Sequence, residues 1–135
     1  MSATLAGAAA LDSMLLCLTA GLEDLTGCPL DERVAAVNAL RELIHTHSPF
    51  NREPVDFVRW VPVESVTAND YNPNSVAPPE MKLLERSVKE DGYTQPIVAW
   101  ETDGLFEVVD GFHRHRVAAA QSRRYRALEA LRVGG

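Results

Sequence analysis

Asp110-Gly-Phe-His-Arg-His-Arg116 gathers the chain's densest set of reactive side chains around one glycine. Phe106 to Val109 reads as a short apolar strand, Gly111 as a tight turn, and the run from His113 to Ala120 as a helix. A strand that enters a helix through a glycine turn leaves several backbone N–H groups without helical partners, all near one point. That point favours an anion, because the helix dipole is positive there. His113, Arg114, His115 and Arg116 add donors and positive charge. Cations at a helix N-terminus oppose the dipole, so four together are unfavourable unless an anion or acid is present. The expected chemistry is capture of phosphate, with a nucleotide as its carrier. The plainer alternative is a decorated helix start in which Arg114 pairs with Asp110 at the surface.

Chemistry on a bound phosphate would need a carboxylate to hold Mg²⁺ or to take a proton. Asp70 and Glu64 are the candidates, with Asp110 a third. Each also has a structural explanation: a turn cap for Asp70, solvation for Glu64, ordering of the glycine turn for Asp110. His45 and His47 lie near a helix end with no third ligand close by, so no metal site is expected and a solvated helix end is the simpler reading. Cys17 and Cys28 show no metal-ligand pattern and are expected as buried thiols in a reducing cytoplasm.

The elements that must hold these residues follow from periodicity and punctuation. Residues 3–20 read as a helix with Leu5, Leu11, Leu15 and Leu18 on its apolar face. Gly21, Gly27 and Pro29 punctuate the next stretch. A second helix runs from about Asp31 to His45, with Val34, Val37, Leu40, Leu43 and Ile44 as its core-facing stripe. The pair forms a helical hairpin suited to packing or dimerisation. A turn-rich connector leads to β-forming residues from Val55 to Trp60 and on to Val66, with Pro62 placing that part at a sheet edge. A polar loop over residues 67–75 follows. Pro78-Pro79 opens a helix that Gly92 closes, with Met81, Leu84 and Val88 on its buried face. Gln95 to Trp100 and Phe106 to Val109 read as strands joined by an Asp103-Gly104 hairpin. Residues beyond Gln121 fit either a prolonged helix over Arg123 to Arg132 or a last strand over Tyr125 to Val133.

The chain has 135 residues, room for one compact domain and an extension. The expected division is an N-terminal helical hairpin over 1–50 and a domain over 55–135. A net charge of −6 disfavours non-specific duplex binding by the chain as a whole. The charge is uneven, though: six arginines and one acid, Glu129, lie between His113 and Arg132. Arg123, Arg124 and Arg126 are the candidate nucleic-acid contacts. The apolar segment from Ala3 to Leu22 lacks a basic leader and is interrupted by Asp12 and Ser13, so neither a signal peptide nor a membrane span is expected. A cytoplasmic location is expected.

Two motifs in order carry a family resemblance. Gly92-Tyr-Thr-Gln-Pro-Ile-Val98 resembles the Gly-Leu-x-Gln-Pro-Ile segment of ParB N-terminal domains, and Asp110 to Arg116 stands where those domains carry a Gly-Glu-Arg-Arg-x-Arg box. Sulfiredoxins hold Gly-Cys-His-Arg at the same place. The resemblance to the ParB/sulfiredoxin-like superfamily covers about Val58 to Ala120. It implies an α+β fold, a small mixed sheet packed with helices, here preceded by the helical hairpin. Asn69-Asp-Tyr-Asn-Pro-Asn-Ser-Val-Ala-Pro-Pro-Glu-Met-Lys-Leu-Leu-Glu85 looks most like the IbrB-like branch, co-activators of prophage gene expression often paired with a phosphoadenosine-phosphosulfate-reductase-like protein.

The resemblance also implies a ligand and its contacts. A nucleoside triphosphate or diphosphate, ATP or CTP, would sit against Gly111, Phe112, His113, Arg114 and Arg116, with Mg²⁺ as a candidate counter-ion. Ser87 matches a helix position where sulfiredoxins offer a hydroxyl to phosphate. Gln95, Pro96 and Ile97 would line the base or ribose side, and Asn69, Asp70 and Asn72 would face the phosphates. In related kinases of free serine, an acid near this first loop is catalytic. Sulfiredoxin activity is not expected, because Phe112 replaces the cysteine nucleophile. The ParB Glu-Arg-Arg is replaced by Phe112-His113-Arg114, so no preference for CTP carries over. Full-length ParB proteins continue into a helix-turn-helix domain, for which too few residues follow here, and ParB-style operator recognition is not expected.

Three functions fit these residues. The first is a nucleotide-binding regulatory module acting through a partner protein or DNA, with a homodimer through the N-terminal helices as one assembly. The second is an enzyme, an NTPase or a small-molecule kinase. The third is a nucleic-acid binder using the arginine-rich tail.

Overall fold

The computed structural model describes residues 5–68 and 78–132. The chain divides into two compact units, Met1–Val37 and Asn38–Gly135.

The first unit holds helix α1 (Leu5–Leu25) and the start of helix α2 (Leu30–Thr46). α1 runs through Gly21, which the sequence marks as punctuation. An uncrowded helical glycine costs only about 1 kcal/mol relative to alanine, and Leu18, Leu22 and Leu25 keep the helical period on both sides. Leu11, Leu15, Leu18 and Leu22 are 51%, 51%, 38% and 42% exposed, so this stripe has no cover. The expectation of buried thiols is corrected here. Cys17 is exposed on α1 and Cys28 is half-buried after it.

The second unit is built on a five-stranded mixed sheet in the order β1-β5-β3-β4-β2. The strands are β1 (Val58–Pro62), β2 (Val66–Thr67), β3 (Ile97–Thr102), β4 (Leu105–Asp110) and β5 (Tyr125–Arg132). The β3–β4 and β1–β5 pairs are antiparallel, and β3–β5 and β2–β4 are parallel. Helices α3 (Pro78–Asp91) and α4 (Phe112–Ala120) complete the unit. Burial alternates along the strands as a pleat requires. Ile97 and Ala99 of β3 and Phe106 and Val108 of β4 point inward and join Val61, Val66 and Leu128 in one core. Val88 of α3 and Val117 and Ala118 of α4 are also buried.

Three readings change. The stretch from Val55 does not begin as a strand: Pro54–Asp56 forms a 3₁₀ turn, because proline pre-sets its first residue. The strand character expected through Val66 is likewise broken by a second such turn over Val63–Ser65. The tail, open between helix and strand, is a strand. Ser122, at φ 56°, ends the helical path, and β5 then slots between β1 and β3.

β1 lies at a sheet edge, as Pro62 suggested, and its open side is closed by a side chain. The Asn38 amide donates to Trp60 O (2.7 Å) and accepts from Trp60 N–H (3.0 Å), so one asparagine supplies the two bonds a neighbouring strand would make. Arg41 adds a bond to Val58 O (3.3 Å). Covered edges do not template unwanted strand pairing.

Candidate functional site

Gly111 sits at φ 95°, ψ 24°, in the left-handed region that side chains with a Cβ rarely adopt. It is also the point of closest packing. A Cβ there would lie 3.2 Å from Ile97 Cα and 3.3 Å from Ile97 Cγ1. Glycine is therefore required twice over at the junction of β4 and α4. The first bond of α4 runs from His115 N–H to Gly111 O (3.0 Å), so the amides before it point out of the helix end. Among the described residues no side chain caps that end, and no acid lies in its first turn.

Beside this turn lies a cavity of about 420 Å³, lined by Leu84, Asp110, Gly111, Phe112, His113 and Arg114. The volume falls within the range of small-molecule sites. His113 Nδ1 is buried and has no hydrogen-bond partner among the described residues. Arg114 does not pair with Asp110. Its guanidinium instead donates to Gln95 Oε1 at the entry to β3. Gln95 is neutral, and among the described residues no carboxylate pairs with Arg114. An anion can take up the arginine charge without breaking an ion pair. Chemically, the turn offers helix-end amides, a guanidinium fork, an imidazole and one carboxylate.

The structure sorts the candidate residues. Gly111, Phe112, His113 and Arg114 line the cavity together. Phe112 also packs on the core. Arg116 is exposed and does not line the cavity. Ser87 does not line it either, because α3 presents Leu84, almost one turn earlier. Ile97 is corrected outright: it is fully buried in the core and acts as the floor beneath Gly111 rather than as a ligand contact. Gln95 and Pro96 line a second hollow of about 440 Å³ with Trp60, Tyr93 and Ala127. Glu64 is exposed on a 3₁₀ turn, away from the residues that line the cavity. Asn69, Asp70 and Asn72 lie outside the described residues.

The arginine-rich tail does not form the expected patch. Arg126 is 0% exposed, because strand alternation turns it inward beside Leu128. Arg123 is half-buried and committed: it donates to Gln121 Oε1 (3.1 Å) and Val88 O (3.0 Å) and lies over the Tyr93 ring. Arg124 is exposed, stacked on Tyr125. A nucleic-acid contact through all three arginines is therefore excluded by the burial of one of them.

Two groupings were missed in the sequence. Arg126 Nε donates to His115 Nδ1 (3.1 Å), linking β5 to α4. The only available signal was an arginine at an inward strand position, which is visible once the tail is assigned as a strand. His45 Nδ1 lies 2.6 Å from Asp56 Oδ2 and its ring stacks on Phe57, which corrects the solvated helix end. The hydrogen bond to His45 holds the Asp56 carboxyl below its ordinary pKa. Among the described residues no three His, Cys, Asp or Glu side chains gather to hold a metal ion. No helix among them is long and apolar enough to cross a membrane.

A small mixed sheet whose fourth strand turns through glycine into a short basic helix defines a ParB/sulfiredoxin-like α+β fold. Residues 48–133 match the ParB N-terminal domain family, and the chain belongs to it. It is 50% identical over 113 residues to YbdM, an uncharacterized protein of Escherichia coli (strain K12); the match covers 82% of this chain and 54% of YbdM, so the chain spans about half that relative's length. Sulfiredoxin from Arabidopsis thaliana is similar in structure, with 20% identity and a TM-score of 0.51 over 56% of this chain and 85% of that one. The C-terminally truncated chromosome-partitioning protein ParB of Caulobacter crescentus, complexed with CTP-gamma-S, is similar at 24% identity and a TM-score of 0.49, over 56% of this chain and 44% of that one.

Proposed function

We propose that the chain is a nucleotide-binding regulatory module whose phosphate site is the Gly111–Arg114 turn. The observation that carries this reading is that, among the described residues, Arg114 has no carboxylate partner, the helix end beside it has no side-chain cap, and His113 Nδ1 in the same cavity has no hydrogen-bond partner. A di- or triphosphate would complete all three at once. ParB family membership supports the same ligand class. The likeness of residues 69–85 to the IbrB-like branch supports transcription co-regulation through a phosphoadenosine-phosphosulfate-reductase-like partner. Phe112 at the cysteine position supports a role other than sulfiredoxin chemistry. Saturating ATP, CTP or ADP is expected to raise the melting temperature, by about 4–8 °C for each kcal/mol of linked binding energy in a domain this size. No shift with any of them would count decisively against the module.

A second reading, NTP hydrolysis or phosphoryl transfer, is favoured by one observation: Asp110 lines the same cavity. The same nucleotide panel, read for Mg²⁺-dependent phosphate release and repeated on Asp110→Asn, separates an enzyme from a binding module.

We also propose that α1 pairs with a second copy of itself. Leu11, Leu15, Leu18, Leu22 and Leu25 recur at alternating spacings of four and three, the seam of a coiled coil. The first four are between 38% and 51% exposed. Light scattering is expected to give a dimer mass for the intact chain and a monomer mass for Leu15→Glu/Leu22→Glu. A monomer mass for both removes the pairing.

A further inference from the structure

Arg126 is a fully buried cation, and among the described residues no carboxylate pairs with it. Burying a charge costs several kcal/mol unless its donors find acceptors. Arg126 Nη1 donates to Arg123 O (2.6 Å) and Tyr125 O (3.4 Å), and Nε donates to His115 Nδ1 (3.1 Å). A guanidinium only donates. Nδ1 of His115 must therefore accept, so the imidazole must be neutral with its proton on Nε2. The main-chain N–H of His115 in turn donates to Gly111 O. One histidine thus joins a buried cation to the turn proposed above as the phosphate site.

We propose that Arg126 and His115 are positioning residues for that turn, and that the turn keeps its anion-binding shape only while His115 is neutral. The proposal rests on the nucleotide reading of the site. A proton on Nδ1 would set two donors and two positive charges face to face at 3.1 Å, one of them on a fully buried guanidinium. The contact would part and the start of α4 would move with it. Protonation would then weaken anion binding, although it adds positive charge near the site.

The surroundings agree. Burial first, then the Arg126 charge, holds the His115 pKa below its ordinary value. Burial also lowers Arg126 itself, an effect that Tyr93 partly offsets. Tyr93 Oη and Arg126 Nη2 are buried without a well-formed hydrogen bond. Arg123 is the other nearby cation on that side and adds to the lowering of Arg126. α3 presents carbonyls to the far end of this packing, Glu85 O to Gln121 and Val88 O to Arg123, rather than a charge. On α4 itself, Arg114 turns to Gln95 and Arg116 is exposed. A histidine with a lowered folded pKa binds its proton more readily when unfolded. Its contribution to stability is complete above the unfolded value, near pH 6.5, and is lost as pH falls toward the folded one.

The test uses the full chain, the variant His115→Asn and inorganic tripolyphosphate as probe. Asparagine Oδ1 stands where Nδ1 stood and accepts from Arg126 but cannot titrate. At about pH 8 the two proteins are expected to bind tripolyphosphate equally. As pH falls from about 8, the wild type is expected to lose tripolyphosphate affinity relative to the variant, by up to about tenfold for each pH unit below the folded pKa of His115. Comparing the two at each pH cancels the probe's own protonation. Without any ligand, the wild-type melting temperature is expected to drop more steeply with acid than that of His115→Asn. Arg126→Met, which removes the charge but keeps much of the volume, should flatten that drop as well. Parallel pH curves for wild type and His115→Asn, with binding intact, overturn the proposal alone. Absence of tripolyphosphate binding to both proteins at pH 8 overturns it together with the nucleotide reading.

Discussion

Gly111→Ala is expected to abolish nucleotide binding and to destabilise the domain by about 2–5 kcal/mol. Two costs add. An L-residue held in the left-handed region loses about 1–2 kcal/mol, and Gly111 sits at φ 95°. The new methyl would also press on the Ile97 main chain at 3.2 Å, a contact that a flexible side chain cannot relieve by moving. Overpacking of this kind costs about 1–3 kcal/mol. Ile97 is fully buried in β3 between β4 and β5, so the turn must yield instead. The displaced segment carries the helix-end amides and Arg114, whose Nη1 lies 3.5 Å from the same Cβ position. Urea unfolding is expected to show a lower midpoint with an unchanged slope, and calorimetry no nucleotide binding. A variant as stable as wild type that still binds nucleotide would mean that the turn does not have the shape described.

Arg114→Ala is expected to weaken nucleotide affinity by about 10- to 100-fold, the effect of losing a charge-assisted hydrogen bond worth about 1.5–3 kcal/mol. Stability should change little. Among the described residues the side chain of Arg114 bonds to Gln95, and Gln95 is exposed, so water replaces that bond when the guanidinium is removed. Arg114→Lys should fall between, since lysine keeps the charge but not the planar fork. Gln95→Ala should leave affinity at or above the wild-type level, because it frees the guanidinium. The pair of variants separates charge from geometry, and calorimetry on all three supplies the measurement. Wild-type affinity in Arg114→Ala would move the anion away from this turn. Together with Gly111→Ala, which should harm both folding and binding, it distinguishes the scaffold of the site from its contact.

Much of the site was legible because its cause is local. A strand, a glycine and a run of basic residues at a helix start are neighbours in sequence. The backbone conformation and the direction of the helix end follow from those residue types alone. The same holds for the helix opened by Pro78-Pro79 and closed by Gly92, and for the Asp103-Gly104 hairpin. The two ParB-like motifs, some twenty residues apart, were sufficient to expect the fold. Ile97 faces the core and Ser87 lies off the cavity for a different reason. A position carried over by resemblance specifies an element but not where a side chain points or how far along the element it sits. Three residues on α3 keep the face but shift the position along the axis by about 4.5 Å, and one residue on a strand changes the face.

By itself, then, the amino-acid order determined the Gly111 turn, the charge around it and the membership of the fold, since each arises from residues within a few positions of one another. Only the tertiary structure decided that Arg126 enters the core while Arg124 stays outside, that His115 must accept from it, that Asn38 closes the β1 edge and that His45 is held by Asp56. Those outcomes depend on β5 lying between β1 and β3, and on helix and strand faces meeting across 3 to 22 residues of intervening chain and more. The physical reason is that a pleat's two faces become distinguishable only when distant strands supply one of them with a core.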